Sequence, residues 1–213
     1  MTPRRRLPDP PLLVITDRKQ AGGDLIALAE AVFRGGGRWL SLREKDLAPE
    51  ARLTLLKDLV ACARGFGAVV TVHADVEAAA SAGAAGVHLP AGAAVEAARA
   101  QLGPKALIGV STHSRGEIEL AAAGGADYVT LSPIFASASK PGYGPALGAE
   151  GLSKLADRAD CPVIALGGVT PETAGPCLKA GAAGLAVMGP IMRSADPARE
   201  VSEMTKLLCQ KKA

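Results

Sequence analysis

Aromatic residues are scarce in this 213-residue chain, at 3%, with one Trp, two Tyr and three Phe. Such a supply offers neither a base-stacking platform nor a sugar-binding one. No apolar run approaches the ~20 residues a membrane helix needs, which predicts a chain that stays out of the membrane. The four cysteines, Cys62, Cys161, Cys177 and Cys209, show neither paired nor metal-ligand spacing, so reduced thiols in a cytoplasmic protein are expected. A net charge of +3 is too mild for a nucleic-acid partner. The start, MTPRRRLPDPP, is basic without the apolar segment of a secretory signal, and residues 1–10 read as a frayed tail.

Hydrophobic residues are abundant, at 48% of the chain, together with 25 glycines. That is enough to bury a full core in one domain spanning residues 1–213. Eight apolar β-type segments recur, at 11–17, 39–45, 68–74, 86–90, 107–112, 128–134, 162–168 and 184–190. Their cores are continuous apolar runs, as expected when both faces of a parallel sheet are covered. Between them lie Ala- and Leu-rich segments with helical spacing, several ending in Gly. Eight strand–helix units predict an α/β fold, a single closed (β/α)8 TIM barrel, with a doubly wound open sheet as the competitor.

In such a barrel the active site collects at the carboxyl ends of the strands. Polar residues gather there. Arg43 and Lys45 end the second segment, His73 the third, and Ser111, Thr112 and His113 the fifth. His88 lies in the fourth. After the sixth comes SPIFASASKPGYGPALG, residues 132–148. Its Ser137, Ser139 and Lys140 offer donors and a positive charge, and its glycines permit tight turns. The loop therefore reads as a holder of phosphate, diphosphate or another anion, although a solvated Ser/Gly/Pro loop has the same composition. Gly167 and Gly168 after the seventh strand, and Gly189 after the eighth, suggest a second anion site of backbone amides, next to a helix start at Thr170-Pro171-Glu172. Glycines that merely turn the chain at a barrel rim would look the same.

Taken together, VITDR, SLREK, GVHLP, GVSTHS, GADYVTLSPIFASASKPGYGP, PVIALGGVTPE and GAAGLAVMGPI resemble the family of thiamin phosphate synthases and thiazole tautomerases over nearly the whole chain. In the synthase branch a pyrimidine diphosphate is joined to a thiazole phosphate and diphosphate leaves. The resemblance implies that Arg43, Lys45, Ser137, Ser139 and Lys140 hold the diphosphate, or a substrate carboxylate. It places Ser111 and His73 beside the ring, and Gly167, Gly168, Met188 and Gly189 around the thiazole phosphate. The synthase pattern carries Asn-Asp after the third strand and Asp after the fourth, as Mg²⁺ ligands. Here those positions read His73-Ala74 and Ala93, with Asp75 one residue out of place and Ser41 replacing a larger polar side chain. Alanine supplies no oxygen for a hard cation. The tautomerase branch needs no metal and uses a histidine at the fifth strand end, matched by His113.

The sequence expectation is therefore a metal-independent and cofactor-independent thiazole tautomerase acting on a phosphorylated thiazole, with His113 as acid–base. The synthase, with Mg²⁺, is the alternative, and a non-catalytic thiamin-precursor-binding regulator a second one. Small-molecule substrate is the expected partner, with a homo-oligomer left open.

Overall fold

The computed structural model describes residues 6–137 and 144–210. Eight parallel strands close into a barrel in chain order: β1 (Leu12–Ile15), β2 (Trp39–Leu42), β3 (Val69–His73), β4 (Gly86–Leu89), β5 (Leu107–Thr112), β6 (Tyr128–Leu131), β7 (Val163–Leu166) and β8 (Gly184–Val187). β8 pairs with β1 through Leu12↔Leu185 and Val14↔Val187, so no sheet edge is left open. The expected barrel is the observed one.

Helices wrap the sheet: α1 (Arg18–Ala21), α2 (Leu25–Arg34), α3 (Pro49–Arg64), α4 (Val76–Ala82), α5 (Val95–Leu102), α6 (Arg115–Ala123), α7 (Gly148–Ala156), α8 (Pro171–Lys179), α9 (Gly189–Met192) and α10 (Pro197–Gln210). The short α1 and α9 are additions to the eight-unit pattern. Both lie just beyond strand ends, after β1 and β8. The strands are shorter than the apolar segments suggest. Asp17, Arg43, Lys45, Gly167, Gly168 and Met188 all lie past the last paired residue, in the loops that form the carboxyl mouth.

Period-two alternation divides the core in two. Outward residues such as Val14, Leu40, Val72, Ile108, Leu131 and Leu185 pack against the helices. Inward residues Leu13, Ile15, Trp39, Leu107, Tyr128, Ile164 and Ala186 fill the barrel. Leu7 packs against this inner cluster, which anchors the described residues leading into β1. Gly109 makes room for the largest inner pair. A Cβ there would sit 2.0 Å from Cζ of Tyr128, whose ring meets Trp39 edge-on at 4.7 Å. At the opposite end from the mouth, buried Asp127 accepts from the Ile108 amide at 2.7 Å and from Arg99 at 2.8 Å, tying α5 to the β5–β6 seam.

Candidate active site

At the carboxyl mouth the inward positions divide by chemistry. Ser41, Thr71, His73, His88, Ser111 and Thr130 come from β2 to β6, whereas Ile15, Leu166 and Ala186 come from β1, β7 and β8, with Met188 just past β8. One wall is polar and the other apolar. Above the apolar wall opens a cavity of about 620 Å³. Arg43, Ser137, Gly167, Gly168, Met188 and Gly189 line it, so six residues singled out from the sequence share one space. No Asp or Glu borders it among the described residues.

Arg43 is held by its backbone. Its amide donates to Thr16 Oγ1 at 2.9 Å, and that hydroxyl donates to the buried carboxylate of Glu44 at 2.7 Å. Glu44 also accepts from the Arg18 amide at 3.1 Å. The β1 and β2 loops thus lock together, and Glu44 is consumed in doing so.

Lys45 goes elsewhere. With His73, Arg52 and Asp75 it lines a separate groove of about 520 Å³ over β2 to β4. Ser139 and Lys140 lie outside the described residues. The segment leading to them is well fixed: the Ile134 amide donates to the Leu166 carbonyl at 3.0 Å and the Phe135 amide to that of Gly167 at 3.0 Å. The chain after β6 therefore continues alongside the end of β7 and delivers Ser137 to the cavity.

The same crossing explains two glycines. Gly167 and Gly168 have φ of 93° and 63°, where L side chains are strained. A Cβ on Gly168 would stand 2.6 Å from the Ala136 carbonyl oxygen and from Phe135 Cβ. Close packing of the β6 loop requires glycine here, whatever ligand the cavity takes. The start of α8 is likewise occupied by its own chain, since Thr170 and Thr173 form a capping box with the Thr170 amide donating to Thr173 Oγ1 at 2.8 Å.

The three histidines differ in kind. His88 is buried, with Nδ1 3.0 Å from the Tyr128 hydroxyl, and Nε2 3.0 Å from Ser111 Oγ and 3.3 Å from Thr130 Oγ1. Burial pushes its pKa down to about 3, helped by His73 and Arg43 nearby. It is neutral near pH 7 and unsuited to acid–base duty there; instead it orients Ser111. His73 stacks on it, with ring centroids 6.0 Å apart, and faces the second groove. His113, half-buried, donates from Nδ1 to the Ser132 carbonyl at 2.7 Å, which makes Nε2 the basic nitrogen of the neutral ring. The cavity wall reaches Ser132 but not His113 itself.

The positions expected for Mg²⁺ ligands do not fit that ion. Ala74 and Ala93 carry no oxygen on their side chains. Asp75 caps α4 through the Ala78 amide at 2.9 Å and pairs with Arg52 at 2.7 Å. Among the described residues no group of three or more His, Cys, Asp or Glu is placed to hold a metal, and no helix is long and apolar enough to cross a membrane.

Sequence reasoning missed two features. Arg193 lines the cavity from the end of α9, one helical turn beyond Gly189. Only that four-residue spacing from a marked glycine hinted at it. The Tyr128–His88–Ser111 chain was also hidden, because its members come from three strands.

Residues 12–191 match the family model described as thiamine monophosphate synthase. The chain is 40% identical over 199 residues to a putative thiamine-phosphate synthase of Geobacter sulfurreducens, covering 92% of this chain and 93% of that one. It is 35% identical to the thiamine-phosphate synthase of Roseiflexus castenholzii, covering 92% and 85%. Among solved structures it resembles the thiamine phosphate pyrophosphorylase of Pyrococcus furiosus, with a TM-score of 0.85, 28% identity, and coverage of 95% and 96%. With residues 12–191 matching the family model and these relatives aligned over most of both chains, the chain belongs to the thiamine monophosphate synthase family of thiamin-biosynthesis enzymes.

Proposed function

We propose that this enzyme is a transferase that joins a pyrimidine diphosphate to a thiazole phosphate and releases diphosphate. This puts first the reaction that the sequence alone ranked second. The names of its relatives, aligned over most of their length, support that order. The observation that carries it is a cavity of about 620 Å³ with one arginine from the loop after β2 and another from the C-cap of α9, and no bordering carboxylate among the described residues. Two phosphorylated substrates suit such a space. In the reaction a carbon–oxygen bond to diphosphate breaks while a carbon–nitrogen bond to the thiazole forms. Cations beside the departing diphosphate stabilise the charge that develops there. Arg43 would supply one and Lys140 another. Among the described residues no carboxylate set fits Mg²⁺, and no step is placed on that ion.

The missing carboxylates favour a second reading, the metal-independent thiazole tautomerase. There His113 Nε2 would move the proton as a dihydrothiazole carboxylate phosphate becomes aromatic. Purified protein given pyrimidine diphosphate and thiazole phosphate, in EDTA and in Mg²⁺, separates the two. Thiamin phosphate and diphosphate in equal amounts support the transferase. Aromatisation of the dihydrothiazole, seen by ultraviolet absorbance without coupling, supports the tautomerase. Calorimetric binding of thiazole phosphate with neither reaction would leave a precursor-binding regulator.

A further inference from the structure

We propose that Arg193 is the specificity-determining cation for the phosphate end of the ligand, selecting the phosphorylated thiazole over its free alcohol. The inference rests on the thiazole-phosphate reading and assigns a residue that the glycine-rich pattern does not include.

Backbone glycines around the mouth supply at most neutral amides. Gly168 is already explained by the close pass of Phe135 and Ala136, and the first amides of α8 are engaged by Thr170 and Thr173. A phosphate dianion on the β7–β8 side therefore lacks a charge partner unless a side chain provides one. Arg193 is the only ionisable side chain bordering that side of the cavity among the described residues, Arg43 entering from β2.

Its position is built. The Arg193 amide donates to the Gly189 carbonyl at 3.0 Å, which fixes its Cα one turn from the cavity floor. Its Nη1 donates to Oε1 of Gln20 on α1, and Gln20 Nε2 donates in turn to Asp17, the N-cap of α1. The tether takes one of five guanidinium donors. A carboxamide, unlike a carboxylate, leaves the positive charge unneutralised, and no Asp or Glu pairs with Arg193 among the described residues. A guanidinium held this way presents a planar fork suited to two phosphate oxygens.

The test is calorimetry with thiazole phosphate and with the unphosphorylated thiazole alcohol, on wild type, Arg193→Ala, Arg193→Lys and Gln20→Ala. Arg193→Ala should weaken thiazole phosphate by about 10- to 100-fold, as for a lost charged hydrogen bond, and leave the alcohol essentially unchanged. Arg193→Lys should recover part of the loss, and Gln20→Ala should fall between, since it frees the fork without removing charge. Thermal melts confirm that each variant is folded. Equal weakening of both ligands, or none, overturns the assignment. Should wild type bind neither thiazole, the functional reading fails separately. Inorganic phosphate then serves as probe: binding lost in Arg193→Ala sustains the cation site, and binding unaltered overturns it.

Discussion

At the scale of single residues, a histidine's surroundings decide its role more than its place in a motif. His88 and His113 both sit at strand ends, yet one is sealed among hydroxyls and the other anchored to a rim carbonyl. Because the folded pKa of His88 is depressed to about 3 and its unfolded value is near 6.5, the unfolded chain binds the extra proton between those limits. Stability contributed by neutral His88 is therefore full above pH 6.5 and is lost as pH falls toward 3. Denaturant melts of wild type and His88→Gln should show it: wild type should lose about 2 kcal/mol more than the variant between pH 8 and pH 5. Parallel pH curves would mean that His88 is not the titrating group. His113→Asn is expected to cut any aromatisation rate by ~10²–10⁴, while affinity for thiazole phosphate stays nearly constant. Full activity in that variant would remove His113 from the chemistry.

Among the elements, the β6 loop and the β7 end behave as one unit. Hydrogen bonds from Ile134 and Phe135 extend the β6–β7 seam past the paired strands, and Gly168 has no room for a side chain. Gly168→Ala should destabilise the fold by about 1–3 kcal/mol, the range for overpacking a tight contact, and should weaken phosphate binding as well, because Phe135 and Ala136 must shift. If melting and affinity both match wild type, the crossing is looser than a 2.6 Å approach implies. Asp75 precedes α4 directly, where a carboxylate caps amides well, and Arg52 of α3 pairs with it. Such a residue is structural even though it adjoins a position where the family pattern has a metal ligand.

For the whole molecule, closure of the sheet places the ends of all eight strands at one mouth, and β1, β2, β6, β7 and β8 send residues to the same cavity. Its charge is one-sided: two arginines border it and no acid does, among the described residues. Affinity for thiazole phosphate should accordingly be set by the protein's own cations and change by no more than about twofold between EDTA and millimolar Mg²⁺, since no oxygen cage among the described residues is placed to hold the metal. Calorimetry in the two buffers checks this, and a large Mg²⁺-dependent gain would show that other residues assemble a site.

The architecture was legible in the sequence, because eight apolar runs and their Gly-ended helices follow from local periodicity and from burial on both sheet faces. The residue types at the mouth were legible too, since strand order alone assigns them to one end of a closed barrel. What only the tertiary structure decided was which of them face the same space. Arg43 and Lys45, two residues apart, part company once the chain leaves the strand, one entering the main cavity and the other the groove beside His73. Gly168 acquires a packing reason from a loop more than thirty residues earlier in the chain, and His88 becomes a buried neutral base only when β4, β5 and β6 bring their hydroxyls together. Such facts depend on distances between segments remote in sequence, and local periodicity contains no information about them.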